Sequence, residues 1–366
     1  MSKYSSENIT LMQYIFIISG TQVGIGVLTL PGTLAEKAGT DGWLSIIIGW
    51  LFSVLVSIVI IQIMKKHPQC TIFDISRKYL GKWLGRAVSL SWVLYSFFAV
   101  VTLILTAIFI IQVWILPETN SSSLLLIFIV PIYIITKGGL KVIGRFSEFV
   151  FFATMWMPIL LTIPVQNGHL LNLLPVIKEG WWPILSAVQA TFLSFLGFEL
   201  AFVLYPFLEN KKSAIKGIFI ANSITLLVYI HITIISYVYF SPDEIKQYIW
   251  ATLNLIKPIQ LPFLERFEII FLSFYLFVIS DTIIPYLFTA VLGVNHITGI
   301  KGYRIPLILF IVMLMLITNI LPITYEQVMQ LGEWWGYIGL ILAFLFPIIF
   351  WIYTGLYDRL LRRPKS

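Results

Sequence analysis

Long runs of apolar residues alternate with short polar segments along the whole chain. A membrane-spanning helix needs about 20 apolar residues, and the pattern provides ten segments near that length. The fourth is short, and the third is longer than a bilayer needs, so we expect it to tilt. The pattern therefore predicts an all-α polytopic membrane protein with a single membrane domain. The predicted spans are Leu11–Leu34, Trp43–Met64, Leu84–Leu116, Leu124–Thr136, Phe146–Val165, Pro183–Leu208, Ala214–Phe240, Phe267–Gly293, Ile305–Leu321 and Gly336–Tyr357.

The composition favours the same class. Hydrophobic residues make up 59% of the chain and charged residues only 11%, whereas soluble domains carry roughly 25% charged residues. The first apolar segment lacks a small-residue cleavage pattern, so we interpret it as a retained helix and not a signal peptide. Cys70 is the only cysteine, which excludes an intrachain disulfide and argues against a thiolate metal site. We predict neither a metal nor a cofactor.

The placement of basic residues predicts the orientation. If the N-terminus is cytoplasmic, only five of the 24 Lys and Arg residues fall in outside loops, and the other 19 lie inside. The positive-inside rule then places both termini in the cytoplasm. The net charge of +7 reflects this topology and contact with anionic lipids, not a nucleic-acid surface. The five outside residues are Lys37, Lys178, Lys246, Lys257 and Arg266.

Two connecting loops are predicted to form surface helices. Thr71 and Asp74 can form a capping box after the second span, and Ser241 to Glu244 can do so after the seventh. Each helix follows the second span of a five-span half, which indicates an inverted repeat over about 11–165 and 183–357. Two unrelated interfacial helices remain the alternative. The apolar stripes behind the caps are Ile72, Ile75, Tyr79 and Leu80, and Ile245, Tyr248, Ile249 and Leu253.

The first span is predicted to be broken near its middle. Gly20, Gly24, Gly26 and Pro31 weaken the helix at membrane depth, because glycine and proline disfavour the helical ladder. A broken helix exposes amide N–H groups at the start of its second half, where the helix dipole attracts a carboxylate. Close helix packing through the small pair Gly20-x-x-x-Gly24 is the alternative interpretation.

The sixth span shows a second weak point at Ser194 and Gly197. Interrupted helices at corresponding places in two halves are a sequence signature of a binding site at the membrane midplane. We therefore predict a small-molecule site between the two breaks. The predicted ligand-binding residues are Thr21, Gln22, Val23, Gly24, Ile25, Gly26, Tyr95, Ser194, Phe195, Gly197, Glu199, Asp281, Thr282 and Tyr286.

Two acidic residues, Glu199 and Asp281, lie deep in predicted spans. Ionisable residues at such depth suggest function, and no Lys or Arg lies deep in a span to pair with them. Each acid is therefore protonated, hydrogen-bonded to unwound backbone, or paired with a bound cation or amine. Structural hydrogen bonding is the alternative for both acids, as packing is for Tyr95 and Tyr286. We expect His231, alone in its span, to make a structural hydrogen bond.

With these features in place, the chain resembles the amino acid–polyamine–organocation superfamily. More closely, it is similar to the B subunits of spore germinant receptors, the endospore germination permease family. The resemblance covers essentially the whole chain. It rests on the order of the motifs along the chain, because each motif alone is only moderately specific. The matching stretches are Gly24 to Pro31, Tyr79 to Lys82, Phe198-Glu199 through Pro206, Asn210 to Lys212, and Glu333-Trp334-Trp335-Gly336.

The resemblance implies a LeuT-like five-plus-five fold and a nutrient-sensing receptor subunit in the spore inner membrane. It also implies two partners, a membrane A subunit and a lipoprotein C subunit. The alternative function is an amino acid permease coupled to H⁺ or Na⁺, whose cation site would use carbonyls near Val23 and hydroxyls such as Ser280 and Thr282. No pattern of an enzyme active site is present in the sequence, so we predict no catalytic activity.

Overall fold

The computed structural model describes residues 7–259, 266–320 and 324–361, and these residues are almost entirely helical. Both chain termini, the basic residues Lys3, Arg362, Arg363 and Lys365, and the predicted span end Leu321 lie outside the described residues. The α-helices are α1 Leu11–Gln22, α2 Gly26–Ala38, α3 Gly42–Lys65, α4 Ile72–Trp114, α5 Ser121–Lys137, α6 Leu140–Thr154, α7 Trp156–Leu160, α8 Trp181–Phe195, α9 Ala201–Leu204, α10 Ala214–Tyr239, α11 Ala251–Asn254, α12 Phe267–Thr298, α13 Arg304–Ile320, α14 Tyr325–Gly339 and α15 Phe346–Leu361.

Every predicted span coincides with helix, although several bounds differ. The fifth begins earlier, at Leu140, and the tenth begins at Tyr325 and continues through a π-helical segment, Leu340–Leu345, into α15. Within the described ranges, six helical segments are long and apolar enough to cross a membrane, and the bent pair Trp181–Phe195 and Phe198–Phe207 makes a seventh. The total of ten spans therefore stays a prediction.

The helices form one bundle with apolar side chains on its outside. α4 packs along α12, while α1 contacts α6, α10 and α12. Outward-facing residues such as Leu55, Ile127 and Leu227 are more than half exposed. A bundle that exposes large aliphatic side chains all round is suited to lipid rather than water.

The first predicted loop helix is present and continues into the third span. The Thr71 N–H donates to Asp74 Oδ2 at 3.0 Å, and the capping box is complete. Gly81, with φ of 78°, bends the chain between this short helix and the long one that follows. Only glycine adopts such a φ without strain, so the loop helix and the third span meet at a fixed angle.

The prediction of a second surface helix after Ser241 was wrong. The cap forms, because Glu244 N–H donates to Ser241 Oγ at 3.3 Å, but the segment continues only as a 3₁₀ turn, Ile245–Gln247, and the single turn α11. Ile245 is buried against α2, and Thr252 Oγ1 donates to the Val27 carbonyl at 2.7 Å. Packing into the bundle therefore overrides the local helical pattern.

The N-terminal segment closes the end of the bundle that is predicted to face the cytoplasm. Ile9 N–H donates to the Phe207 carbonyl at 2.9 Å, and Glu209 N–H donates to the Ile9 carbonyl at 3.1 Å. The Tyr303 hydroxyl donates to Glu7 Oε1 at 2.7 Å. These bonds tie Glu7 and Ile9 to the end of the sixth span and to the start of α13.

A buried aspartate fixes the loop between the fifth and sixth spans at the other end. Asp41 is only 4% exposed. Its two carboxylate oxygens accept hydrogen bonds from the Ile177 N–H at 2.9 Å and the Lys178 N–H at 3.0 Å. Because hydrogen bonds to charged groups are stronger than neutral ones, this one side chain holds the loop against the start of α3.

We expect Asp41→Ala to destabilise the protein by roughly 1–3 kcal/mol, because the two buried N–H groups lose their acceptor. The matched control is Asp243→Ala, because the Asp243 side chain is 94% exposed and pairs with Lys246 at the surface. That control should change stability by less than about 0.5 kcal/mol. Thermal unfolding of the purified protein measures both, and equal melting temperatures for the two variants would contradict the role of Asp41.

Candidate functional site

The first span is interrupted, as the sequence predicts. α1 ends at Gln22 and α2 begins at Gly26. The Gly24 carbonyl accepts a hydrogen bond from the Tyr275 hydroxyl at 2.6 Å. Within the described residues, the N–H groups of Ile25 and Gly26 donate to no protein acceptor. The start of α2 therefore presents two free donors at the positive end of a helix dipole.

The sixth span is interrupted opposite the first. α8 ends at Phe195, and the two halves of the span bend by 48° around Leu196 and Gly197. Gly197 has φ of 130°, which favours glycine. A Cβ atom added there would lie 3.0 Å from both Gln22 Cγ and Thr21 Cγ2. The absence of a side chain at Gly197 thus allows the two interruptions to pack against each other.

Gln22 is the residue that joins the two interruptions. Its Nε2 donates to the Phe195 carbonyl at 2.8 Å and to Asn222 Oδ1 at 2.9 Å. Its Oε1 accepts from Thr225 at 2.8 Å, and its carbonyl accepts from the Tyr229 hydroxyl at 3.0 Å. These bonds occupy both ends of the amide, so Gln22 serves to hold the first and sixth spans to α10.

A cavity of about 590 Å³ lies beside the two interruptions. Its volume falls within the range of small-molecule sites. The cavity extends to Glu36, Lys37 and Trp250, at the end of the bundle predicted to face outside. We call it the main cavity. Seven predicted ligand-binding residues line it: Thr21, Gln22, Gly24, Ile25, Gly26, Ser194 and Thr282.

The wall of the main cavity also contains residues that the sequence analysis missed as site residues. Thr102 and Thr106 lie one turn apart on α4, and Tyr229 faces the cavity from α10. The sequence could have predicted this pair as cavity residues, because two threonines four positions apart in an apolar helix place their hydroxyls on one face. Glu333 and Trp335 line the cavity from α14. Both belong to the Glu333-Trp334-Trp335-Gly336 stretch, which supported the family resemblance but was not predicted to contact a ligand.

The remaining seven predicted residues lie outside the wall of the main cavity: Val23, Tyr95, Phe195, Gly197, Glu199, Asp281 and Tyr286. Their contact with a ligand stays a prediction. His231 makes the structural bond expected of it, because its Nε2 lies 2.8 Å from the Pro158 carbonyl. Among the residues the structure describes, no group of three or more His, Cys, Asp or Glu side chains could hold a metal ion.

Glu199 is fully buried and supports the interruption of the sixth span. Its Oε1 accepts hydrogen bonds from the Tyr95 hydroxyl at 2.8 Å and from the Tyr286 hydroxyl at 2.7 Å. Its Oε2 accepts from the Gly197 N–H at 2.7 Å. The Tyr286 ring packs edge-on against Trp335, with centroids 5.6 Å apart. The carboxyl therefore links the unwound backbone to α4 and α12, one aromatic layer behind the cavity wall.

Asp281 lies on the other side of the first span. Its Oδ1 accepts a hydrogen bond from Ser147 Oγ on α6 at 2.6 Å. Its carboxylate sits so close to Gly20 that an added Cβ would overlap it. The next residue, Thr282, donates to the Gly20 carbonyl at 3.2 Å and lines the main cavity. Consecutive residues of α12 thus face different sides of α1.

Two facing interrupted helices beside a cavity define the fold class of this membrane protein. The solved structures agree. MhsT in complex with L-phenylalanine has a TM-score of 0.67 and 13% identity, with 96% of this chain and 89% of MhsT covered. Mhp1, a nucleobase-cation-symport-1 family transporter, has a TM-score of 0.64 and 12% identity, with 92% and 77% covered. The all-α LeuT-type fold class predicted from the sequence is confirmed.

The chain belongs to the spore germination protein family, whose sequence model matches residues 8–328. Its relatives include spore germination protein GerQB of Bacillus cereus, 29% identical with 92% of this chain and 93% of GerQB covered. Spore germination protein A2 of Bacillus subtilis (strain 168) is also 29% identical, with 98% of each chain covered. The resemblance inferred from the motifs is thereby confirmed, and the chain is an integral membrane protein of the permease type.

We expect Glu199→Gln to destabilise the protein by about 1–3 kcal/mol. Glutamine offers one acceptor oxygen where the carboxylate offers two, so in either orientation of the amide at least one of the three buried donors, the Tyr95 and Tyr286 hydroxyls and the Gly197 N–H, loses its acceptor. The cost should be smaller in a Tyr95→Phe background, because the residues share one network.

Thermal unfolding measures these variants, with Glu333→Gln as the control on the exposed cavity wall, where we expect no change. Unchanged stability in Glu199→Gln, together with a raised nutrient requirement, would show that the carboxyl contacts the ligand instead.

Proposed function

We propose that this chain is the nutrient-sensing subunit of a spore germinant receptor and binds a small neutral amino acid in the main cavity. The observation that carries the proposal is the pair of free N–H groups at Ile25 and Gly26, which lie in the cavity wall. A ligand carboxylate would accept from these donors at the N-terminus of α2. The relatives are germination proteins, and the neighbour MhsT was solved with L-phenylalanine.

The charges around the main cavity favour a zwitterion with an uncharged side chain. Among the described residues of the cavity wall, Lys37 is the one basic residue, and it lies at the outer end of the cavity, next to Glu36. A second ligand carboxylate would therefore find no deep cation to pair with, and an unpaired buried charge is costly. Apolar wall residues such as Leu103, Phe192 and Trp335 suit an aliphatic or aromatic side chain.

Signalling would follow from a change in the packing of the bundle. A ligand that bridges the two interruptions stabilises the arrangement it binds best, and partner subunits respond to that arrangement. We place the chain in the spore inner membrane with both termini in the cytoplasm. Its partners there are the membrane A subunit and the lipoprotein C subunit of the receptor. We propose Glu199, with Tyr95 and Tyr286, as positioning residues of the sixth span.

A transporter is the second candidate function. Two observations support it. The main cavity extends to one end of the bundle, and hydrogen bonds around Ile9 close the opposite end. Alternating access requires such an arrangement in one of its states. The structural neighbours include a transporter by name.

A panel of amino acids tests ligand class and function together. The purified full-length protein in lipid nanodiscs is unfolded thermally with alanine, valine, leucine, phenylalanine, glutamate or lysine present. We expect at least one neutral amino acid to stabilise it, by about 2.7 kcal/mol at a concentration 100 times its Kd. Stabilisation by glutamate alone would contradict the proposed site. Gradient-driven accumulation of the stabilising amino acid in proteoliposomes would favour the transporter.

Gly26→Val should abolish the nutrient response. A Cβ at this position would lie 2.7 Å from the Tyr229 hydroxyl and 2.8 Å from Ser194 Oγ, and the branched side chain would cover the two free N–H groups. Gly355→Val is the control, because a Cβ there has no atom within 4 Å. Nutrient dose–response curves of spores carrying each variant, at equal protein level, give the result. A normal response in Gly26→Val spores would remove the α2 N-terminus from the binding site.

A further inference from the structure

Three basic residues surround the bend at Gly81, where the loop helix meets the rest of α4. Arg77 precedes the bend, and Lys82 and Arg86 follow it. All three residues are exposed, and within the described part of the chain none of them forms an ion pair. We call them the basic corner. The positive-inside rule accounts for the sign of these charges, but not for their grouping at one bend.

A glycine allows the two arms of the bend to touch. A Cβ atom added at Gly85 would lie 2.6 Å from the Arg77 Cα and 2.9 Å from the Ser76 carbonyl oxygen. The backbone of the loop helix therefore rests directly on the first turn after the bend. Because Arg86 follows Gly85 in the chain, the backbones of Arg77 and Arg86 are held close together from opposite sides of the bend.

The acidic residues nearby are engaged with other groups. Asp74 is the one acidic residue of α4. Its Oδ2 closes the capping box of the loop helix, and its Oδ1 lies 3.6 Å from His296 Nδ1. At the same end of the bundle, Asp358 forms an ion pair with Lys66 at 3.2 Å. The basic corner therefore keeps its positive charge and attracts anions.

An apolar stripe on the outside of the bundle begins at the basic corner. Trp83 is 82% exposed, and Leu90 and Leu94 are 49% and 58% exposed. Two helical turns separate Trp83 from Leu90, and one more leads to Leu94, so the three side chains share one face of α4. Tryptophan favours the boundary between lipid headgroups and acyl chains. The stripe therefore distinguishes a lipid from an acidic protein surface, which would match the charges alone.

We propose that the basic corner binds the headgroup of one anionic phospholipid, whose acyl chains lie along the apolar stripe. The lipid phosphate accepts hydrogen bonds from the guanidinium groups of Arg77 and Arg86, which suit planar, bidentate recognition of phosphate. Lys82 adds a point charge. The bound lipid joins the loop helix to the start of the third span. This site lies apart from the main cavity and does not depend on the proposed nutrient function.

The experiment uses the purified full-length protein in micelles of an uncharged detergent, without nutrient. The protein is titrated with phosphatidylglycerol, with neutral phosphatidylcholine, or with glycerol phosphate, which is the headgroup without acyl chains. Thermal unfolding is measured for the wild type, Arg77→Gln, Arg86→Gln and the double variant. The matched control is Lys212→Gln, which removes one positive charge from an exposed residue on another loop. Because all the substituted residues are exposed, we expect every variant to fold.

We expect phosphatidylglycerol to raise the melting temperature of the wild type and of Lys212→Gln more than phosphatidylcholine does, because a ligand that binds the folded state stabilises it. The half-saturating phosphatidylglycerol concentration should increase about 5-fold in Arg77→Gln and in Arg86→Gln, as expected for the loss of one basic residue near an anionic lipid. In the double variant it should increase about 25-fold, the product of the two single effects.

The site is refuted if phosphatidylglycerol and phosphatidylcholine stabilise the wild type equally, a result that would favour an acidic protein surface as the partner of the basic corner. Equal half-saturation in the double variant and in Lys212→Gln also overturns it. If glycerol phosphate acts at the same concentration as phosphatidylglycerol, the ligand is a free phosphate and not a lipid. Because nutrient is absent throughout, none of these results bears on the nutrient site, which the amino acid panel tests separately.

Discussion

The two interrupted helices leave backbone N–H and C=O groups without helical partners at membrane depth, and the structure depends on the hydrogen bonds that satisfy these groups. Unpaired backbone groups in lipid cost several kcal/mol each, so neighbouring side chains must satisfy them. Tyr275 bonds the Gly24 carbonyl, Gln22 bonds the Phe195 carbonyl, and Glu199 accepts from the Gly197 N–H. The donors of Ile25 and Gly26 remain open beside a cavity. These open donors thus lie at a place where a ligand fits.

Two buried acids of the same chemical type have different surroundings in this bundle. Glu199 accepts three hydrogen bonds from groups on three different parts of the fold and lies outside the wall of the main cavity. Within the described part of the chain, Asp281 accepts one hydrogen bond, and it lines a separate cavity on the other side of α1. A fully bonded carboxyl rigidifies the structure around it, whereas an incompletely bonded one can exchange a partner. Depth in the membrane alone does not distinguish these roles.

The sequence predicted the features that depend on local chemistry. Gly24, Gly26 and Gly197 marked both interruptions, and Thr71 with Asp74 marked the first loop helix, because helix breaking and capping are properties of neighbouring residues. It could not show that Glu199 lies outside the wall of the main cavity, since the position of its carboxyl depends on hydrogen bonds from Tyr95 and Tyr286, 104 and 87 residues distant. The segment after Ser241 was mispredicted for a similar reason, since its packing on α2 is not encoded locally.

The closure around Ile9 has a thermodynamic consequence for the conformations available to the protein. A form open at this end would have to break the hydrogen bonds of Ile9 with Phe207 and Glu209 and that of Glu7 with Tyr303. At about 0.5–1.5 kcal/mol per bond, their loss reduces the population of that form by roughly one to three orders of magnitude. These hydrogen bonds therefore favour the form that is closed at this end, and a ligand or partner that shifts the equilibrium to the opposite form must contribute a comparable difference in binding free energy.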